Sequence, residues 1–131
     1  MEIKRTIIIA EAGVNHNGQM ENAYRLVDAA VDAGVDYVKF QTFTADKLVS
    51  KIAKKANYQR ENVNDADDSQ FSMLKKLELD EQTHHELIRY CNLKRIKFLS
   101  TAFDLDSIDL LNKLEIDLFK IPSGEITNYP Y

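Results

Sequence analysis

Residues that bend or cross-link a chain are scarce in this sequence. Among 131 residues there are four glycines, two prolines and no tryptophan, so glycine and proline together fall well below their usual share of ~12%. This scarcity excludes collagen-like repeats, low-complexity linkers and folds built from many tight turns. The single cysteine, Cys91, excludes an internal disulfide and a zinc ribbon, and it fits a reducing cytoplasm.

Long runs of one kind are also missing. The apolar run at residues 7–10 is too short for a signal peptide or a membrane span. The chain carries 17 basic and 21 acidic residues without a clustered basic stretch, which disfavours nucleic acid as a partner. With 44% apolar and 29% charged residues, the sequence predicts at most one globular, cytoplasmic domain, since domains cluster at about 100–150 residues.

Apolar periodicity predicts strands that alternate with helices. Short runs rich in β-branched or aromatic residues are predicted as four strands, at 6–10, 36–41, 96–100 and 118–121. Segments with apolar residues three and four positions apart are predicted as helices, at 22–33, 70–79, 80–94 and 107–114. Gly34 follows the first helix, where a left-handed C-cap belongs, and Asp80 is a predicted N-cap.

This alternation predicts an α/β fold of parallel βαβ units, because a crossover helix must return the chain to begin the next strand in the same direction. Two architectures fit the order, an open doubly wound sheet and part of a (β/α) barrel. The first predicted strand is not followed by a G-x-G-x-x-G dinucleotide motif, which favours the barrel. Residues 42–69 break the alternation and are predicted to form a lid or a disordered loop.

Two lysines lie inside apolar strands rather than beyond them. In the second strand, alternation places Lys39 opposite Phe40, so Lys39 is expected to point into the barrel while Phe40 packs on helices. Lys120 has the same placement in the fourth predicted strand. Two ammonium groups that converge in a partly dry cavity need an anion, which predicts a phosphate or carboxylate ligand. The alternative is that Glu11 and Glu125 neutralise the two lysines.

Ionisable side chains also follow the predicted strands, at the edge where parallel α/β proteins place their sites. Glu11 and Glu125 are candidates for general acid and base, because a carboxyl near lysines and apolar walls can be tuned for proton transfer. His16 is a substrate or metal contact, a turn-stabilising residue or an exposed residue. His84 and His85 are helix neighbours that point in different directions, and both are predicted to be surface residues.

Four sequence blocks stand in order along the whole chain, at residues 8–18, 38–43, 98–103 and 119–125. Taken together, these blocks resemble the N-acetylneuraminate (sialic acid) synthase family. The Gly-Val-Asn-His-Asn-Gly form at 13–18 and the Ser-Gly-Glu form at 123–125 are closer to sialic and legionaminic acid synthases than to pseudaminic acid synthases.

The resemblance implies the N-terminal half, four strands, of a TIM (β/α)8 barrel. It implies a transferase that condenses phosphoenolpyruvate with the open-chain aldehyde of an N-acetylated hexosamine, such as N-acetylmannosamine. The products are phosphate and a nine-carbon 2-keto sugar acid, and a divalent metal, Mn²⁺ or Mg²⁺, assists. By motif position, the implied roles are phosphoenolpyruvate binding by Lys39, Thr101, Lys120 and Ser123, sugar binding by Gln41, and catalysis by Glu11 and Glu125.

The resemblance also implies parts of the site outside these residues. In the family, metal-binding histidines come from later strands, and a small C-terminal antifreeze-like domain supplies an arginine to the partner subunit of a homodimer. Residues 1–131 are therefore expected to be the N-terminal portion of the catalytic barrel, ending after the fourth strand. The family's sugar-binding asparagine comes from the 42–69 loop, where Asn57, Asn62 and Asn64 all stay open.

Two other functions stay open. A Schiff-base aldolase would use Lys39 or Lys120 as the nucleophile that attacks a carbonyl. The third hypothesis is an inactive fragment that serves as an anion-binding or assembly module and turns nothing over.

Overall fold

The computed structural model describes residues 5–49 and 69–131, which form a parallel sheet with helices packed on it. The strands β1 (Ile9–Gly13), β2 (Tyr37–Thr42) and β3 (Lys97–Ala102) lie side by side in that order. The helices are α1 (Met20–Asp32), α2 (Ala45–Leu48), α3 (Gln70–Leu77), α4 (Glu81–Lys94) and α5 (Leu105–Lys113), and a 3-10 turn covers Ser123–Glu125. Both strand pairs are parallel, so the prediction of an α/β fold with parallel strands is confirmed.

One face of the sheet carries the apolar core. Val38, Phe40 and Phe98 belong to a buried cluster with Val27 of α1 and Leu87 of α4. The rings of Phe40 and Phe98 stack with their centroids 5.8 Å apart. Each such side chain contributes roughly 1.5–3 kcal/mol when it is fully buried. Packing on this face fixes the strands and leaves the other face for polar side chains at the carboxyl ends.

Helix ends follow the local signals in the sequence. Gly34, which is separated from the end of α1 by Ala33, has φ 67°, the left-handed conformation predicted for it. The Asp80 carboxylate accepts a hydrogen bond from Thr83 N at 2.8 Å. The predicted start of the last helix was too late, because α5 begins at Leu105 and Asp104 is its N-cap. Asp104 accepts a hydrogen bond from the backbone N–H of Ser107 at 2.9 Å.

The observed strands begin one to three residues later than the predicted ones. Ile7 and Ile8 precede β1 and are exposed, whereas Ala12 inside it is buried. The residues that form β1 are therefore determined by pairing with β2, and not by the apolar character of the run. As a result Glu11 lies within β1, and Thr101 lies within β3 rather than beyond it.

The fourth predicted strand is not confirmed, because residues 118–121 do not pair with the described sheet. Asp117, just before them, is tied to the start of β3 by a 2.5 Å contact with Lys97 Nζ. Beyond Asp117 the chain leaves the edge of β3, and a cavity of about 430 Å³ lies between this segment, α5 and the end of β3. Phe119 and Ile121 stay exposed, so this segment gains little of the apolar burial that stabilises a strand.

None of the described helices combines the length and apolar character that a bilayer span needs. The segment at 42–69, which was predicted as a lid or a disordered loop, contains α2 near its beginning. Residues 50–68 lie outside the described part of the chain. The three asparagines considered for the sugar, Asn57, Asn62 and Asn64, lie there as well.

Candidate functional site

A charged pair spans β1 and β2 near their carboxyl ends. The parallel register places Glu11 opposite Lys39, and Glu11 Oε2 lies 2.5 Å from Lys39 Nζ. The register shifts between Glu11 and Gly13, an irregularity of the kind that redirects side chains next to functional sites. The neutralisation of Lys39 by Glu11, which the sequence left as an alternative, is therefore present.

The lysine of this pair is buried and its partner is not. The Lys39 side chain is 9% exposed, whereas that of Glu11 is 57% exposed. Lys39 Nζ also donates to Thr101 Oγ1 at 3.3 Å, and Thr101 is buried. A buried ammonium is stable only when charged or polar groups satisfy it. The Lys39 side chain thus approaches the ion pair through the protein interior, whereas the Glu11 side chain lies on its solvent-exposed side.

Gln41 completes the group, which we call the Lys39 cluster: Glu11, Lys39, Gln41 and Thr101. Gln41 is paired with Thr101 in the β2–β3 ladder. A Cβ added at Gly13 would lie 3.3 Å from Glu11 Oε1 and 3.4 Å from Gln41 Nε2, so both side chains lie against this glycine. The cluster offers one ammonium, one carboxylate, one amide and one hydroxyl, which suits a small anionic ligand with oxygen atoms.

The remaining predicted site residues lie in the segment after residue 117. Lys120 and Glu125 line the cavity beside β3, and Ser123 is exposed at the start of the 3-10 turn. Glu125 Oε2 accepts a hydrogen bond from Asn128 Nδ2 at 2.6 Å. Within residues 5–49 and 69–131, no hydrogen bond or ion pair joins this group to the Lys39 cluster. The structure therefore places the seven predicted residues in two groups.

Of the alternatives for His16, the structure excludes exposure, because the side chain is buried, and it confirms a role in a turn. Its Nδ1 accepts a hydrogen bond from the backbone N–H of Gly18 at 3.0 Å. Burial lowers the pKa of His16 below its ordinary value of 6.5. In the neutral ring the proton therefore sits on Nε2, which has no hydrogen-bond partner among the described residues.

His84 is also buried, so its prediction as a surface residue is wrong. His84 precedes Leu87, Ile88 and Cys91 by three, four and seven residues, the spacing of one helix face. That spacing would have placed it in the core, where each of its two ring nitrogens has a hydrogen-bond partner. His85, one position on, lines a surface groove as expected.

Metal ligation does not fit the described residues. No group of three or more histidine, cysteine, aspartate and glutamate side chains there is arranged to hold an ion. The chemistry available to this part of the chain is therefore that of the Lys39 cluster and of the segment carrying Lys120, Ser123 and Glu125.

Comparison with known proteins decides the family. A sequence profile described as the NeuB family matches residues 26–131. The chain belongs to the NeuB family. The resemblance carried by the four sequence blocks is thereby confirmed.

Two of the proteins similar to this chain are named as sugar acid synthases. The chain is 55% identical to the N,N'-diacetyllegionaminic acid synthase of Campylobacter jejuni over 98% of this chain and 38% of that protein. It is 54% identical to the synthase of the same name from Legionella pneumophila, over 95% of this chain and 35% of that protein. The chain thus spans little more than a third of the length of these relatives.

A solved structure agrees with this assignment. The fold matches the N-acetylneuraminic acid (sialic acid) synthetase of Leptospira borgpetersenii with a TM-score of 0.79 and 27% identity. The match covers 97% of this chain and 39% of that one. These NeuB relatives support an enzyme family that makes sialic acid-type sugar acids.

Proposed function

We propose that these residues supply the phosphoenolpyruvate-binding part of a synthase site. The enzyme would condense phosphoenolpyruvate with an N-acetylated hexosamine and release phosphate and a nine-carbon 2-keto sugar acid. The observation that carries the proposal is the buried ammonium of Lys39, held by Glu11 and Thr101 at the carboxyl end of a parallel sheet. In the full enzyme this sheet would be the first part of a TIM (β/α)8 barrel.

Charge balance gives Lys39 its role in this proposal. Phosphoenolpyruvate is a trianion, and a buried ammonium that already holds one carboxylate can exchange that carboxylate for an anionic ligand. Thr101 Oγ1 lies within reach of the same ligand, since it is 3.3 Å from Lys39 Nζ. Glu11 is largely exposed and can move away when the ligand arrives. Lys120 and Ser123 are proposed to bind the same donor, and Gln41 the sugar.

Three proton transfers accompany the chemistry. The enol carbon of phosphoenolpyruvate forms the new carbon–carbon bond to the sugar aldehyde, whose oxygen takes up a proton. Water adds to C2 and loses one proton. The C–O bond to phosphate then breaks as the C2 hydroxyl becomes the ketone, and the proton of that hydroxyl passes to the departing phosphate without help from a side chain. We assign the first two transfers to Glu11 and Glu125 together, because carboxylates of this kind act as general acid and base. Mn²⁺ or Mg²⁺ would be held by residues beyond this chain, in a homodimer.

The relatives favour one kind of sugar. Phosphoenolpyruvate contains no nitrogen, so both N-acetyl groups of an N,N'-diacetyl product must come from the sugar. Because the relatives at 55% and 54% identity are named for such a product, we propose a diacetamido hexose as the acceptor in preference to N-acetylmannosamine.

A chimera tests the proposal. Residues 1–131 replace the corresponding part of the Campylobacter jejuni relative, and phosphate release from phosphoenolpyruvate is measured with Mn²⁺ and each sugar. We expect release with the diacetamido hexose and weak release with N-acetylmannosamine. A folded chimera that releases no phosphate with either sugar would refute the function, provided that the unaltered relative is active in the same assay.

The aldolase hypothesis is disfavoured by the geometry of Lys39. A Schiff base forms from a neutral amine, whereas Lys39 lies in a charged pair with Glu11. Borohydride treatment with pyruvate is therefore expected to leave no adduct on Lys39. The binding-module hypothesis predicts phosphoenolpyruvate binding by the chimera without turnover, so the same phosphate assay separates it from the synthase.

A further inference from the structure

Behind the Lys39 cluster, on the face that packs against helices, a line of buried hydrogen bonds joins β3 to α4. Ser100 Oγ lies 2.6 Å from Thr42 Oγ1, and Thr42 Oγ1 lies 2.7 Å from His84 Nε2. His84 Nδ1 lies 2.7 Å from the carbonyl oxygen of Asp80. The three side chains are fully buried. We call Ser100, Thr42 and His84 the relay.

The backbone carbonyl at one end of the relay fixes the direction of every hydrogen bond in it. A carbonyl oxygen only accepts, so His84 Nδ1 must hold the proton and donate it to Asp80. In the neutral ring Nε2 then accepts from the Thr42 hydroxyl, and Thr42 Oγ1 accepts in turn from Ser100. Thr42 is therefore the one member that both donates and accepts, and its hydroxyl satisfies two buried neighbours.

The relay and the Lys39 cluster lie on alternating rungs at the ends of β2 and β3. Gln41 and Thr101 are paired across β2 and β3, and each is the chain neighbour of a relay residue. On one face Lys39 Nζ reaches diagonally to Thr101. On the other face Thr42 reaches diagonally to Ser100. Because successive side chains point to opposite faces, a slip or rotation at either strand end displaces both sets together.

We infer that the relay positions the Lys39 cluster for the donor substrate. It fixes the separation and rotation of the ends of β2 and β3, so that Lys39 and Thr101 meet a bound anion together. This inference rests on the proposed function. The relay residues are positioning residues, since they act through their neighbours and do not touch substrate.

The first test compares Thr42→Val with Thr42→Ser in the chimera. Valine keeps the shape of threonine but leaves His84 Nε2 and the Ser100 hydroxyl without a partner. We expect the KM for phosphoenolpyruvate to rise about tenfold, the equivalent of about one lost hydrogen bond. Thr42→Ser keeps the hydroxyl and should keep the KM within about twofold.

A matched control separates positioning from stability. Leu87 lies one helical turn after His84 on α4, is fully buried and has no part in the relay. Leu87→Ala lowers the melting temperature through loss of packing. Assayed well below the melting temperature of every variant, it should leave the KM unchanged while Thr42→Val raises it.

The histidine supplies an independent readout. The side-chain oxygen of His84→Gln can reach the position of Nε2 and accept from Thr42, whereas the shorter amide of His84→Asn reaches only the position of Nδ1. The KM for phosphoenolpyruvate should therefore rise in His84→Asn and stay close to that of the unsubstituted chimera in His84→Gln. Nitrogen NMR of the unsubstituted protein should show His84 protonated at Nδ1, with an Nε2 signal that shifts in Thr42→Val.

The outcomes are distinguishable. An unsubstituted chimera that is folded but inactive refutes the proposed function, and the inference falls with it. An active chimera whose Thr42→Val variant keeps its KM refutes the inference alone. Equal KM changes in Thr42→Val and Leu87→Ala also refute it, because they would show that general destabilisation is the cause.

Discussion

The loop after β1 contains a glycine at which any side chain would meet the backbone of a distant helix. Gly18 has φ 73°, and a Cβ added to it would overlap the backbone carbonyl oxygen of Lys76 and lie 3.3 Å from the carbonyl carbon. Lys76 belongs to α3, so this contact joins the loop that carries His16 to a helix far along the sequence. Because the obstructing atoms are backbone, they cannot rotate aside as a side chain would.

Gly18→Ala is expected to destabilise the protein by two separable effects. The left-handed conformation costs a residue with a Cβ about 1–2 kcal/mol. The overlap with Lys76 forces a backbone shift, for which overpacking typically adds about 1–3 kcal/mol. Gly34 provides the matched control, since it has φ 67° but nothing within 4 Å of an added Cβ. Gly34→Ala should therefore lose only the first part.

Urea unfolding of the two variants measures the difference. A free-energy difference of about 1–3 kcal/mol corresponds to a midpoint lower by roughly 1 M for Gly18→Ala than for Gly34→Ala, with the slope expected for a small domain. Equal midpoints would show that the loop does not pack on α3 as described, and the steric reasoning would then be wrong.

Three further outcomes are expected. Lys39→Met in the chimera should raise the KM for phosphoenolpyruvate at least about tenfold, and an unchanged KM from initial rates would exclude its proposed role. Burial lowers the pKa of His84 below 6.5, so the unfolded chain binds its proton more strongly. The stabilisation from the neutral ring is then complete above about pH 6.5 and is lost as the pH falls through the lower folded pKa. Urea unfolding should therefore give a lower unfolding free energy at about pH 5 than at about pH 7.5. This difference should be smaller in His84→Gln. Asp104 is buried and accepts hydrogen bonds from Thr44 N, Ser107 N and Ser107 Oγ. Asp104→Ala should therefore lower the free energy of unfolding by about 2–4 kcal/mol. Asp80→Ala, which removes an exposed cap, should lower it by only roughly 1 kcal/mol.

The Lys39 cluster was partly predictable. The face of Lys39 follows from the two-residue period of a strand, which holds whatever the neighbouring strands are. Its pairing with Glu11 depends on the register of β1 against β2, including the shift at Gly13. That register is set by packing between distant segments, so the sequence left the pairing open between a bound anion and a neighbouring carboxylate.

The buried polar groups on the helix side were harder to find. His84 lies on a helix face with apolar residues, but a histidine there is acceptable only because Thr42 and Asp80 satisfy its two nitrogens. Thr42 comes from a strand that precedes α4 by many residues. A one-dimensional pattern contains no record of such a partner, so the same sequence also fitted a surface histidine.

The sequence by itself determined the alternation of strands and helices, the caps at Gly34 and Asp80, and membership in the NeuB family through its four blocks. Period and capping depend on residues close together in the chain, and the blocks can be recognised without knowing which segments are in contact. Only the tertiary structure decided which residues of each apolar run pair, and that residues 118–121 leave the sheet. It also decided that the Lys39 cluster and the relay lie on opposite faces of neighbouring rungs, because strand pairing and burial depend on partners from distant parts of the chain.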